Sequence, residues 1–295
     1  MRLFLLALAG ILLLQAARAE GPLVFQSDFG TRDGAVAAMK GVAVSVSAEL
    51  AIYDVTHEIP PYNIWEGALR LVQAAAYWPE GTVFVSVVDP GVGTERKSIV
   101  MRSRSGHFFV TPDNGTLTFV AEELGIDAVR EIDEAVNRLA NSEQSYTFHG
   151  RDVYAYTGAR LAAGAISFDE VGTELPASVV SIPYQRPEFE NGVLKGNVPI
   201  LDVQYGNVWT NIDRHTFARL GVEPGDRVEV TIRNDEEKVY EGAMPYQPTF
   251  GDVEVGEPLL YLNSLDNVSL AINQGDFANE HDIRSGATWS IEITK

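Results

Sequence analysis

In the first half of the chain, apolar residues come as short β-branched runs separated by longer stretches with helical spacing. Leu23 to Gln26, Ala51 to Val55 and Thr82 to Val88 read as strands. Between them, Gly34 to Val46 and Ile64 to Tyr77 carry Ala, Val, Leu and aromatic residues at helical intervals. This alternation predicts an α/β domain with a largely parallel sheet. Ile99 to Arg102 and Phe108 to Thr111 read as a further strand pair across a turn at Ser105-Gly106, and a helix is expected from just after His149 through Leu161, stopped by Gly164. Near Ser181 the pattern changes. The segment SIPYQRPEFENG is aperiodic and rich in proline and polar residues, which divides the chain into an N-terminal domain, 20–185, and a C-terminal one, 192–295. In the latter, Val193 to Val203, Val228 to Ile232, Leu259 to Leu262, Val268 to Ile272 and Trp289 to Ile293 are short strands parted by turns such as Arg233-Asn234-Asp235. That spacing predicts a small antiparallel β-barrel, or a sandwich of such strands.

The first residues stand outside this pattern. Met1-Arg2 gives a positive start, Leu3 to Leu14 an apolar run and Ala17-Arg18-Ala19 a small-x-small site, the layout of a secretory signal peptide. The expected mature chain begins near Glu20 and is periplasmic or secreted. The run is far short of the roughly 20 residues that span a bilayer, so no stable membrane anchor is expected. A formal charge of −19 argues against nucleic acid and anionic membranes as partners, both of which need a positive surface. A small molecule fits better. Without cysteine the chain has no disulfide, thiolate metal site or cysteine nucleophile.

Four polar segments interrupt the apolar background where predicted strands end: SDFGTRDG (Ser27 to Gly34), VVDPGVGTER (Val87 to Arg96), PDNG (Pro112 to Gly115) and TFHGRD (Thr147 to Asp152). In α/β folds such strand ends form the crevice that binds ligands. Asp28, at one of these ends, can accept both hydroxyls of a ribose, whereas Asp33 serves equally as a helix cap. Asp89 closes an apolar strand before a glycine-bearing turn, and Arg96 can fold back to pair with it, as a structural ion pair or as a device that holds the acid ionised. His149 precedes a helix, where the charged imidazole is disfavoured, which suits a neutral proton acceptor; a structural histidine is the plainer alternative. His57, His107, His215 and His281 lack metal-ligand spacing, and no metal site is expected. Asp202 and Asn207 bracket Gln204-Tyr205-Gly206, either a plain hairpin or a loop presenting an acid, an amide and Tyr205 to an adenine or an amino acid.

Taken in order, SDFGTRDGAVAAMKGV, YDVTHEIPPYNIWEGA, VVDPGVGTER, TPDNGTL, TFHGRD, YGNVWTNI and YLNS closely resemble the S-adenosyl-L-methionine hydroxide adenosyltransferase family, relatives of fluorinating and chlorinating enzymes. The resemblance covers nearly the whole mature chain. It implies an α/β domain followed by a small β-barrel, and a homotrimer with the substrate at the interface between neighbouring subunits. It further implies hydrolysis of S-adenosyl-L-methionine to adenosine and L-methionine without a cofactor. By position, Asp89, Arg96 and His149 match the Asp, Arg and His triad of the hydrolytic members, where halogenating relatives carry tyrosines in place of the acid and the histidine. Asp28 would hold the ribose hydroxyls; Tyr62, Phe148 and Phe250 would line the nucleoside pocket; Asp202, Asn207 and Ser264 would lie near the amino-acid or adenine groups. An exported nucleoside-binding protein without turnover is the alternative.

Overall fold

The computed structural model describes residues 21–295, and the segment read as a signal peptide lies outside the described residues. The chain forms two compact units. One comprises residues up to Pro61 together with Ala74–Asn114 and Val120–Val179; the other comprises Tyr62–Gln73, Gly115–Phe119 and Val180–Lys295.

The first unit is built on a seven-stranded sheet of β1 (Leu23–Ser27), β2 (Ile52–Thr56), β3 (Val83–Val87), β4 (Ser98–Ser103), β5 (Phe108–Pro112), β6 (Ile126–Glu131) and β7 (Glu174–Leu175), in the order β2-β1-β3-β5-β4-β6-β7. The half β2-β1-β3-β5 is parallel, as expected. The other half is antiparallel, because the Ser105-Gly106 turn reverses the chain with no crossover helix. The sheet is therefore mixed. Every residue of β1, β3 and β5 is buried, which explains why they read as unbroken apolar runs rather than alternating ones.

Helix α1 (Ala35–Val46) buries Val36, Met39, Val42 and Ala43, one stripe at helical spacing. Helices α2 (Ile64–Ala75) and α3 (Thr118–Glu123) follow, the latter and β6 not anticipated. The helix expected after His149 starts as a π-helical segment, Gly150–Ala155, continues as α4 (Tyr156–Ala162) and stops at Gly164, whose φ is +63°. Met39 and Ala43 of α1 and Val153, Ala155 and Ala159 of the π–α4 segment share one core with Leu23, Phe25, Val85 and Val110 of the sheet. Gly158 sets how closely α4 approaches, since a Cβ there would lie 2.4 Å from Val85 Cγ2.

The second unit contains β8 (Glu188–Glu190), β9 (Val193–Asn197), β10 (Ile200–Asp202), β11 (Asn207–Asp213), β12 (Arg227–Asn234), β13 (Glu237–Pro245), β14 (Pro258–Leu262), β15 (Asn267–Ile272) and β16 (Trp289–Thr294). They form two antiparallel sheets, β10-β11-β15-β14 and β13-β12-β16-β9-β8. The expected closed barrel is not seen among the described residues: each sheet there has two free ends, and one isolated bridge, Tyr246 to Leu260, links them. The strand expected over Val193 to Val203 is instead two strands in different sheets. They are broken at Val198-Pro199, where proline has no N–H for a ladder. Val208, Val268 and Leu270 of one sheet and Val230, Ile232 and Ile291 of the other share one core, the arrangement of a sandwich.

Replacing Gly158 by Ala should destabilise the protein by about 1–3 kcal/mol through overpacking against Val85, read as a lowered urea midpoint at unchanged slope. Val85→Ala in the same chain should recover part of that loss.

Candidate active site

Strands β1 and β3 are parallel neighbours with Ser27 opposite Val87, so their C-terminal ends deliver Asp28 and Asp89 to the same edge of the sheet. The Asp28 N–H continues the ladder to the Val87 carbonyl at 3.4 Å. From the end of β5, Asn114 donates its amide to the Val88 carbonyl at 2.9 Å and steadies the residue before Asp89. The chain then turns on itself: Val92 N–H bonds the Asp89 carbonyl and Thr94 N–H the Gly91 carbonyl. Gly93 is required in that turn, because its φ is +77° and a Cβ would lie 2.9 Å from the Tyr146 carbonyl oxygen.

The turn returns Arg96 to Asp89. Its Nε lies 2.9 Å from Oδ1 and its Nη2 2.5 Å from Oδ2, a two-pronged contact between side chains only 10% and 5% exposed. The Nη1 donates to Ser98 Oγ at 3.0 Å, and Ser98 meets the Tyr154 hydroxyl at 3.1 Å. The guanidinium also lies over the Tyr154 ring, 5.6 Å from its centroid. Burial lowers the Arg96 pKa, but the hydrogen bonds it donates to Asp89, together with the nearby Tyr154, Asp89 and Glu134, outweigh burial and hold the pKa above the ordinary value.

His149 is buried at the start of the π-helical segment, with Nδ1 3.1 Å from Arg96 Nη2. Arginine has no acceptor, so Nδ1 accepts in this contact and the ring is neutral with its hydrogen on Nε2. Nε2 is buried and has no partner among the described residues. Burial lowers the His149 pKa below its usual value, opposed by Glu134 and reinforced by Arg96 and Arg138. Asp89, Arg96 and His149 are thus one connected group. Phe148 sits beside it, edge-on to Phe29 at 5.6 Å and under the Arg151 guanidinium at 4.9 Å, next to the loop that carries Asp28.

The remaining candidates belong to the second unit. Asp202, Tyr205, Asn207, Phe250 and Ser264 all line one cavity of about 650 Å³. Asp202 and Asn207 are paired across the β10–β11 hairpin, whose turn includes Gly206 at φ +67°, and the Asn207 amide donates to Asp202 at 3.3 Å. The segment is a hairpin, and its side chains also line a cavity. Tyr62 is 73% exposed, has a φ of +69° and does not line this cavity; it stands before α2, where Asn63 accepts the Glu66 N–H as a cap. Ser98 and Tyr154, which brace the Asp89–Arg96–His149 group, were missed from sequence, and Asn114 was named there only as part of the PDNG segment. Tyr154 gave the one usable signal, a hydroxyl at a position the helical pattern buries completely. Among the described residues, no three histidine or carboxylate side chains gather as a metal ion would need.

Residues 23–172 match the SAM hydroxide adenosyltransferase N-terminal domain, and residues 196–290 match the C-terminal domain of the same family. The chain belongs to the SAM hydroxide adenosyltransferase family. It is similar to a fluorinase from Actinopolyspora mzabensis, 31% identical over 92% of this chain and 97% of the relative. It is likewise similar to an (R)-S-adenosyl-L-methionine hydrolase from Salinispora tropica, 37% identical over 86% of this chain and 91% of the relative. A second hydrolase so named, from Methanocaldococcus jannaschii, is 46% identical over 47% of this chain and 52% of its own length. Among solved structures, an uncharacterized conserved protein from Thermotoga maritima superposes with a TM-score of 0.81 at 36% identity, covering 92% of this chain and 100% of that one. In this family member the N-terminal match contains Asp28, Asp89, Arg96, Phe148 and His149, and the C-terminal match contains the residues named on the cavity.

The tautomer is open to direct test. Long-range proton–nitrogen NMR of the imidazoles should show His149 neutral at pH 7 with hydrogen on Nε2, titrating below the ordinary histidine value of about 6.5. Because the unfolded chain then binds the proton first, His149 should make stability fall as pH drops from about 6.5 toward the lower folded-state midpoint, and should add little pH dependence well above about 6.5.

Proposed function

We propose that the protein hydrolyses S-adenosyl-L-methionine to adenosine and L-methionine, by attack of water on the ribose C5′. The observation that carries this reading is the Asp89–Arg96–His149 group, with a buried ring nitrogen that has no partner among the described residues, in a chain whose relatives include several named S-adenosyl-L-methionine hydrolases. In the proposed step the water oxygen bonds to C5′, the C5′–S bond breaks with its electron pair going to sulfur, and methionine leaves as a neutral thioether. One proton is released. The sulfonium needs no acid on the leaving side, so the protein's task is the nucleophile. Bulk water has a pKa near 15.7 and is a poor nucleophile at neutral pH.

Arg96 and the Nε2–H of His149 are donors that would stabilise a hydroxide-like oxygen, and Asp89, held in one plane by Arg96, would take the hydrogen bond from the attacking water. With Nδ1 engaged by Arg96, His149 serves here as a donor; acting as the proton acceptor expected from sequence would require the other tautomer and loss of the Arg96 contact. Asp28 holds the ribose hydroxyls, and Tyr62, Phe148 and Phe250 line the nucleoside pocket. Asp202, Tyr205, Asn207 and Ser264 take the adenine or amino-acid groups. No cofactor or metal takes part. These two sets of residues meet across the interface between neighbouring copies in a homotrimer, and the protein acts in the periplasm or outside the cell after cleavage near Ala19. A nucleoside-binding protein without turnover would leave the triad's donors without a task.

Incubation with S-adenosyl-L-methionine should release adenosine and methionine in equal amounts by chromatography. Asp89→Ala should lower the rate by on the order of 10²- to 10³-fold. Adenosine binding without product release would reject hydrolysis. Asp89→Ala and Asn207→Ala variants, each impaired alone, should regain activity when unfolded and refolded together if the site is shared between copies; no regain would reject the shared site.

A further inference from the structure

Strand β2 supplies none of the residues assigned above, yet it is followed directly by a buried histidine, His57, that they do not use. The β1–β2 register slips there: Phe25 faces Asp54 and Gln26 faces Thr56, so Val55 is an extra residue. Bulges in parallel pairs are rare, and their effect is to re-aim side chains. This one sets His57 Nδ1 2.7 Å from the hydroxyl of Ser27, the last residue of β1. On the other side His57 Nε2 lies 3.1 Å from Asp54, which is paired with Lys40 of α1 at 2.6 Å. An ionised carboxylate only accepts, so Nε2 carries hydrogen, and in the neutral ring Nδ1 accepts a hydrogen bond from the Ser27 hydroxyl. Burial opposes ionisation of Asp54, but its bonds to Lys40 and His57 outweigh burial and hold its pKa below the ordinary value.

The residues around Asp28 are tied to this histidine or to its neighbour. Phe29 N–H donates to Ser27 Oγ at 3.3 Å, Gly30 N–H to the His57 carbonyl at 2.7 Å, and Thr31 Oγ1 to Glu58 at 2.9 Å. Asp28 therefore sits inside a loop clamped on both sides by one residue, through its ring and its carbonyl.

We propose that His57 is a positioning residue: through Ser27 and Gly30 it fixes the backbone that aims the Asp28 carboxylate, and so sets the site's preference for a ribose over a deoxyribose. This rests on the reading of Asp28 as the acceptor of ribose hydroxyls. Misplacing such a contact by an ångström costs on the order of 10- to 100-fold.

The test is calorimetric binding of adenosine and of 2′-deoxyadenosine to the full protein and its variants. The wild type should bind adenosine more tightly. His57→Leu should weaken adenosine by about tenfold and 2′-deoxyadenosine, which keeps only the 3′-hydroxyl contact, by clearly less. His57→Gln, whose amide can both accept from Ser27 and donate to Asp54, should recover most of the difference. In an Asp28→Ala background His57→Leu should cost nothing further. An equal loss for both nucleosides in a folded His57→Leu protein, or losses that add in the double variant, would overturn the proposal. If His57→Leu does not fold by thermal melting, Ser27→Ala removes the same link and must give the same selective loss. Turnover does not enter this readout, so a wild type that binds adenosine without hydrolysing S-adenosyl-L-methionine counts against the proposed function and leaves His57 judged on binding alone.

Discussion

The site depends on one buried ion pair, Asp89 with Arg96. Removing two charges from water costs several kcal/mol for each ion, and the attraction between them offsets this only with good geometry and with the remaining donors satisfied. The geometry is good and most donors are engaged: Arg96 grips the carboxylate with Nε and Nη2, gives Nη1 to Ser98 and a further Nη2 contact to His149, and these contacts leave one Nη1–H for a ligand. The same guanidinium thereby fixes the plane of an acid and the tautomer of a base. Both are set before any ligand arrives, which is the condition under which fixed dipoles act most strongly on developing charge.

The surrounding fold serves that pair. Parallel strands bring Asp28 and Asp89 to one edge by register alone, and a glycine turn closes the short loop that brings Arg96 back. The π-helical segment then carries His149 to the pair and Tyr154 beneath it on successive turns, with Tyr154 fully buried. Burial pushes the Tyr154 phenol far above its usual pKa, so it stays a neutral wall behind the guanidinium. Single-turn π geometry inside an α-helix is uncommon and is frequent at functional sites, because it re-aims side chains that α-helical spacing would separate.

How much of this was legible in the sequence follows from what each residue answers to. The buried strands β1, β3 and β5 and helix α1 were readable because long-range packing and local pattern agree there. Strand β13, with Glu237, Lys238 and Glu241 along it, was not, since an edge strand half open to water loses the apolar run that announces a strand. The single strand expected over Val193 to Val203 breaks at Pro199, where one apolar run conceals a change of sheet. Asp89, Arg96 and His149 were found as chemistry-bearing residues at strand and helix ends. Their supports were not, because Ser98 and Tyr154 lie within apolar stretches and act only through contacts across the fold, and the tautomer of His149 follows from a guanidinium more than fifty residues away. The bulge at Val55 that re-aims His57 has no local sign at all in IYDVT.

The central claim is that the protein's preorganised donors deliver a water oxygen to C5′. Hydrolysis of S-adenosyl-L-methionine in heavy-oxygen water, with mass analysis of both products, tests it most directly. The account predicts one solvent oxygen in the 5′-hydroxyl of adenosine and none in methionine. Adenosine formed without solvent oxygen, or label appearing in the methionine fragment, would contradict it.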